Sequence, residues 1–170
     1  FFTWTGLIAC IAGVYLIGML GVNVGFHRLL THRSFACPRW LEYTLALLGV
    51  FSMQESPGRW VAIHRRHHQH ADTQPDPHSP LVAFIWGHVG WLIIENADTS
   101  FTLYQRYARD LFRQPFYHKL ERRQFWFLVF WLHAAAFGVL GLAVGWLLTG
   151  SWLGAWQFAA SLILWGVIVR

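Results

Sequence analysis

Cysteine is scarce in this chain. Only Cys10, inside an apolar run, and Cys37, just before Pro38, are present. No CxxC or CxxCH occurs, so a disulfide framework, a thiolate zinc knuckle and covalently attached c-type haem are all without support. HExxH is missing, which removes the zincin metalloprotease reading. Glu-x-x-His is missing too, which removes the carboxylate di-iron site of soluble helical bundles. There is no flavin or nicotinamide fingerprint, no internal repeat and no low-complexity tract. Charge is short overall: 12% of residues, against about a quarter in soluble domains. Residues 1–26 carry none, and neither do residues 124–169.

What fills the chain instead is apolar. Hydrophobic residues make up 55% of the 170, and Trp, Phe and Tyr alone 18%. All eight acidic residues lie between Glu42 and Glu121, and twelve of the thirteen basic ones between Arg28 and Arg123. The order along the chain is oily, polar, oily. A membrane-spanning helix needs about 20 mostly apolar residues. Residues 1–24, 125–148 and 152–169 meet that need, so the fold class expected is an all-α integral membrane protein. Only Thr149-Gly150-Ser151 separates the last two spans, which predicts a tight helical hairpin. Its tip has no Lys or Arg, whereas the 25–124 region is basic. By the positive-inside rule that region is cytoplasmic, and the net charge of +5 needs no nucleic acid to explain it. Phe1 already stands in an apolar run with no basic leader, so a signal peptide is not supported. The chain is expected to be one domain truncated at both ends.

Two shorter apolar stretches, residues 40–53 and 81–94, would reach only about 21 Å as helices, against a hydrocarbon core of about 30 Å. Both are expected to lie on, or dip into, the cytoplasmic face. Residues 101–123 alternate aromatic and basic positions and are expected to form an amphipathic surface segment, broken at Pro115. Between residues 70 and 81 the prolines predict a loop.

The chemistry-bearing feature is histidine. Five of the ten histidines fall in two compact boxes: His27 and His32 as H-x4-H, then His64, His67 and His68 as H-x2-H-H. On a helix His64 and His68 share a face, while His67 and His68 diverge by about 100° and can address two different metals. His27 and His32 stand about 140° apart on an ideal α-helix. They converge only if the helix loosens there, or if the metals sit between them and another element. Five clustered imidazoles exceed one zinc site and suit non-haem iron with open positions, the usual device for activating O2. His70, His78, His88 and Asp76 are candidates for hydrogen-bonding support to ligands. His118 is expected at the surface, and His133, within a span, as a neutral group bonded to a neighbouring helix.

The segments GVNVGFHRLLTHRSF, HRRHHQHADTQPDPHSP and GHVGW, covering Gly21 to Trp91, resemble the integral-membrane fatty acid desaturases, and within them the delta-9 acyl-CoA and acyl-lipid group. The resemblance implies two irons, with His27, His32, His64 and His68 on one and His67 helping to hold the other. It implies O2 as co-substrate, a fatty acyl substrate met in the membrane lipid, and an electron donor of ferredoxin or cytochrome b5 type. The family's third box, HNxHH, is absent from these residues, so the chain alone is expected to be inactive. Where animal acyl-CoA members carry an Arg-Asp pair before the second box, this chain has Ala62 and Ile63. That leaves acyl-lipid and acyl-carrier-protein substrates open and gives the sequence a bacterial look, consistent with an inner membrane. Trp60 is kept, and with Trp86 and Trp91 is a candidate wall for the acyl chain. Arg65, Arg66, Arg122 and Arg123 offer a basic face to an acidic donor, or simply reflect orientation. Two other functions fit the same boxes: a membrane hydroxylase acting on alkanes or carotenoids, and a non-catalytic metal-binding membrane protein.

Overall fold

The computed structural model describes residues 1–71, 73, 76, 77, 79–94 and 101–170, with the backbone alone at Val89 and Phe101. Among the described residues there is no strand. The first helix, α1, runs Trp4–Thr31 and changes character on the way. Its first part, Trp4–Gly13, is α-helical, with Thr3 Oγ1 accepting from Gly6 N–H as N-cap. From Val14 to Thr31 it is a π-helix, bonded i to i+5. α2 spans Arg39–Val50 and α3 Pro57–His70. Three short helices follow the loop region: α4 Phe101–Tyr107, α5 Arg109–Phe112 and α6 Pro115–Glu121. α7 covers Phe125–Thr149. α8 begins at Trp152 and runs α-helically to Ile163, then through a π segment to Val169.

α1, α7 and α8 are each long and apolar enough to cross a membrane. Their lipid-facing character shows in what they leave outside: Trp4, Ile8 and Ile11 on α1, Leu140 and Leu147 on α7, and Leu153 on α8 are all exposed. A helix that is apolar all round is made for a membrane or a large core, and here most of that surface has no protein against it. The expected hairpin is present. Gly150 ends α7 at φ 63, its N–H donating to the Trp146 carbonyl, and Ser151 Oγ caps α8 by accepting from Gly154 N–H. The two helices pack through small residues. A Cβ on Gly141 would stand 2.5 Å from Ala159 Cα, and one on Gly145 2.7 Å from Ala155 Cα, so the backbones meet as in a G-x-x-x-G seam.

A second seam of this kind positions the histidines. Gly21 and Gly25 of α1 lie against α2, where added Cβ atoms would meet Gly49 N at 2.5 Å and the Leu45 carbonyl at 2.8 Å. α2 therefore runs antiparallel to α1, back along its π half. α3 then returns in the direction of α1. Its start is anchored by Ser56 Oγ, which accepts from Arg59 N–H, and by Glu121 of α6, which accepts from Gly58 N–H at 2.9 Å. The main core lies at this end, where Phe26, Leu30, Val50 and Val61 meet Leu111 and Tyr117.

One expectation holds and one needs correction. Residues 84–93 are helical without a break, with Trp86–Gly90 as a π segment and Trp91–Ile93 as α-helix, and Gly87 sits so close to Pro80 that a Cβ would come within 2.9 Å of its Cα. Residues 101–123 are more than a surface segment. Ala108, Leu111, Tyr117 and Leu120 are buried in the core, and Tyr117 Oη donates to Glu42 Oε1 at 2.7 Å, tying α6 to α2. Pro115 does break the segment, as the first residue of α6. His118 is exposed as expected. His133 of α7 accepts from the Arg170 guanidinium at the end of α8, with Nε2 2.7 Å away.

Candidate metal centre

The π geometry at the end of α1 resolves the awkward spacing of the first box. The His32 N–H donates to the His27 carbonyl at 3.0 Å, so five residues make one turn and the two rings come over one another. Their Nε2 atoms are 3.1 Å apart. On α3 ordinary α-helical spacing does the same for His64 and His68, again with Nε2 atoms 3.1 Å apart. Because α3 runs alongside α1, the pairs face each other. The His27 and His64 rings are 4.9 Å apart and the His32 and His68 rings 4.6 Å. One ligand atom from each of the four lies within 4.8 Å of all the others.

That arrangement fits a metal ion. For an imidazole nitrogen to metal bond of about 2.1 Å, two nitrogens 3.1 Å apart subtend about 95° at the ion. The same bond length puts nitrogens on opposite sides of the ion about 4.2 Å apart, inside the observed 4.8 Å limit. The angle is nearer to square or octahedral coordination than to the tetrahedron of a closed zinc site. Burial lowers the pKa of His68, and the neighbouring His32 and His67 lower it further, so its lone pair is available at neutral pH. Trp60, buried, stacks on His64 with centroids 4.6 Å apart and shields one side of the cluster.

His67 stands apart from the four. Its Nδ1 is 2.9 Å from both oxygens of Asp76, whose side chain has 0% exposure. A carboxylate held there keeps the proton on Nδ1, which puts the lone pair on Nε2, the arrangement that carboxylate partners give to metal-binding histidines. His70 does not join the cluster. Its carbonyl accepts from Thr73. His88 is exposed and its Nδ1 donates to the Phe84 carbonyl at 2.8 Å, within its own helical turn. His78 lies outside the described residues.

The basic face is smaller than the sequence suggested. Arg66 is buried, and Arg65 is spent on internal hydrogen bonds to α1 and Asp110. Arg122 and Arg123 remain exposed. No sequence signal singled out Asp110 or Glu55. Glu55 adopts φ 101, is buried and pairs with Arg59 at 2.8 Å. Burial pushes its carboxyl up against the opposing pull of Arg59. With Arg59, Glu121 and Trp126 it lines a cavity of about 380 Å³ at the start of α3.

Comparison with known proteins gives a consistent picture. A family model described as Fatty acid desaturase matches residues 2–170. The chain is 38% identical over 169 residues to an sn-1 stearoyl-lipid 9-desaturase of Anabaena variabilis, covering 99% of this chain and 54% of that protein. It is 42% identical over 124 residues to an sn-2 palmitoyl-lipid 9-desaturase of Nostoc, covering 72% and 44%. It is 41% identical over 125 residues to an acyl-CoA C20 Delta5-desaturase of Anemone leveillei, covering 71% and 39%. The chain thus spans about half the length of these curated relatives, or less.

Proposed function

This chain belongs to the fatty acid desaturase family, an all-α membrane family that uses non-haem iron, and from that premise we propose that the protein it forms part of is an O2-dependent membrane desaturase. It introduces a cis double bond into a long-chain acyl group, at the delta-9 position and on an acyl-lipid. The observation that carries the proposal is the cluster of four imidazole nitrogens from α1 and α3, within 4.8 Å of one another, at the polar end of three membrane-length helices.

Two non-haem irons, when bound, would supply the oxidising power to break unactivated methylene C–H bonds, using O2 and two electrons from a separate donor. The chain's own residues supply the rest. His27, His32, His64 and His68 would hold one iron. His67, oriented by Asp76, would serve the other together with ligands from outside this stretch. Trp60 keeps water from one flank of the centre and offers an apolar wall. Ala62 and Ile63 are both buried and offer no charged group to the phosphates of CoA, which favours acyl-lipid over CoA recognition, in line with two of the three relatives named above. The His-bearing end carries the basic residues and the hairpin tip at Gly150 none, which supports a cytoplasmic position for the centre. The electron donor is a small acidic protein of ferredoxin or cytochrome b5 type, attracted by the exposed Arg106, Arg109, Arg122 and Arg123.

The test uses the full-length protein. Purified aerobically, it is expected to contain about two irons per chain, as two sites of this kind require. Expressed in a host that makes only saturated chains, it is expected to yield cis-monounsaturated lipid. An alcohol product would move the assignment to a hydroxylase on the same scaffold. One zinc, or a haem absorption band, would remove the oxygenase reading.

A further inference from the structure

Between the two histidine-bearing helix ends lies one guanidinium. Arg65 follows His64 directly on α3 and reaches back to the end of α1. Its Nε donates to the Thr31 carbonyl at 3.2 Å. Nη2 donates to the Leu30 carbonyl at 2.6 Å and to Asp110 Oδ2 at 3.2 Å. Nη1 donates to Asp110 Oδ1 and to the Tyr107 carbonyl, both at 2.7 Å. Arginine has five N–H donors, and these bonds use them all.

The acceptors are informative. Leu30 and Thr31 belong to the last turn of α1, where carbonyls have no partner further along the helix, and Thr31 immediately precedes His32. The chain turns sharply just after His32. Arg33 sits at φ 51, Ser34 N–H returns to the Arg28 carbonyl at 3.0 Å, and the Arg33 guanidinium also donates to Asp110. A non-glycine residue in this left-handed region is strained, and the pairing with Asp110 helps to hold it there. Asp110 is therefore a hub, gripping α1 through Arg33 and α3 through Arg65. This is no solvated surface pair: the side chains of Arg65 and Asp110 are 20% and 27% exposed.

We propose that Arg65 and Asp110 form a clamp that sets the spacing between the His27/His32 pair and the His64/His68 pair, and so governs metal affinity at the four-nitrogen site. The inference rests on the metal-site reading above. Nothing covalent joins the two helix ends near the rings, and ligand positions must hold to about 0.5 Å to bind a metal well. A planar fork can hold two carbonyls of one helix and a carboxylate on another element at once. A lysine ammonium has three donors and no fixed plane, so it cannot reproduce the set.

The test is a titration of the metal-free full-length protein with Co(II), in nanodiscs, for the wild type, Arg65→Lys, Asp110→Asn, the double variant, and Arg113→Gln as an exposed residue outside the clamp. Dissociation constants, Co(II) d–d spectra and the thermal midpoint of the metal-free protein are read together. Arg65→Lys and Asp110→Asn are each expected to weaken Co(II) binding about 10- to 100-fold and to shift the d–d bands. The double variant should bind no more weakly than the worse single one, because the residues act as a unit, and Arg113→Gln should match wild type. Wild-type binding with both single variants within twofold, spectra unchanged, overturns the clamp and leaves the metal site standing. A lower thermal midpoint with unchanged affinity and spectrum does the same, showing a tie that is structural only. A wild type that takes up no Co(II) overturns both readings. Should Arg65→Lys fail to fold, Asp110→Asn, which nearly preserves shape, decides by the same criteria.

Discussion

At the scale of single residues, Asp76 is the sharpest example of a side chain whose environment dictates its use. A carboxylate with no solvent contact is costly unless it is paired, and it is paired with His67 Nδ1. Asp76→Ala should free that ring to turn. If His67 serves the second iron, the full-length variant is expected to retain about one iron per chain instead of about two, read by elemental analysis, with affinity for the lost ion down about 10- to 100-fold. Proton competition acts on the same rings. His68 has its pKa lowered below the ordinary imidazole value of 6.5, so the folded protein resists protonation that the unfolded chain accepts. Stability therefore falls as pH drops below 6.5 and stops falling once pH is below the depressed folded value. Metal uptake is lost over the same interval, because only neutral imidazole binds. Iron retention after equilibration between pH 8 and pH 5 is expected to decline in that direction. Retention unchanged at the acid end would count against the cluster as the binding site.

At the scale of elements, the π stretch of α1 and the glycine seams do the positioning. Inserting one alanine between Leu29 and Leu30 would turn His32 by about a fifth of a turn away from His27, given the wider π turn, and is expected to abolish metal binding while the helix content by circular dichroism stays near wild type. The seam between α7 and α8 makes a graded prediction. A Cβ on Gly141 would collide with the Ala159 backbone at 2.5 Å, whereas one on Gly138 would meet only Ile163 Cδ1 at an ordinary 3.7 Å. Gly141→Ala should therefore destabilise the hairpin by about 1–3 kcal/mol. Gly138→Ala should be neutral or slightly stabilising, since alanine favours a helix over glycine by about 0.8–1.0 kcal/mol. Thermal unfolding of the two variants in one detergent separates these outcomes, and equal effects would mean that the helices do not meet through this face.

At the scale of the whole molecule, three membrane-length helices carry a polar cap built from α2 to α6. The proposed orientation has a direct check. A cysteine introduced at Ser151, on the hairpin tip, should react with a membrane-impermeant thiol reagent from outside intact cells. One introduced at Arg109 should react only after lysis. The reverse pattern would put the metal centre on the wrong side for a cytoplasmic electron donor.

Much of this was legible in the residues themselves. Span lengths, the hairpin across Gly150 and the convergence of His64 with His68 are local matters, decided by apolar run length, turn chemistry and helical period. The first histidine pair was only half legible: an α-helix would have splayed His27 from His32, and what brings them together is a change of helix type whose hydrogen bonds leave no clear mark on composition. The role of the 101–123 segment was hidden because its buried positions, Ala108, Leu111, Tyr117 and Leu120, are interleaved with arginines whose charged ends reach out of the core. The pairing of Asp110 with Arg65 carried no signal, and Arg65 read only as part of a basic face, since an acid and a base 45 positions apart meet only when the helices between them have folded back. The sequence by itself determined a helical membrane protein with two imidazole pairs at one end. Only the tertiary structure decided that the pairs share a site, because the gap between α1 and α3 is set by long-range contacts, the close approach of α2 to Gly21 and Gly25 and the grip of Arg65 across it, and no local spacing encodes that distance.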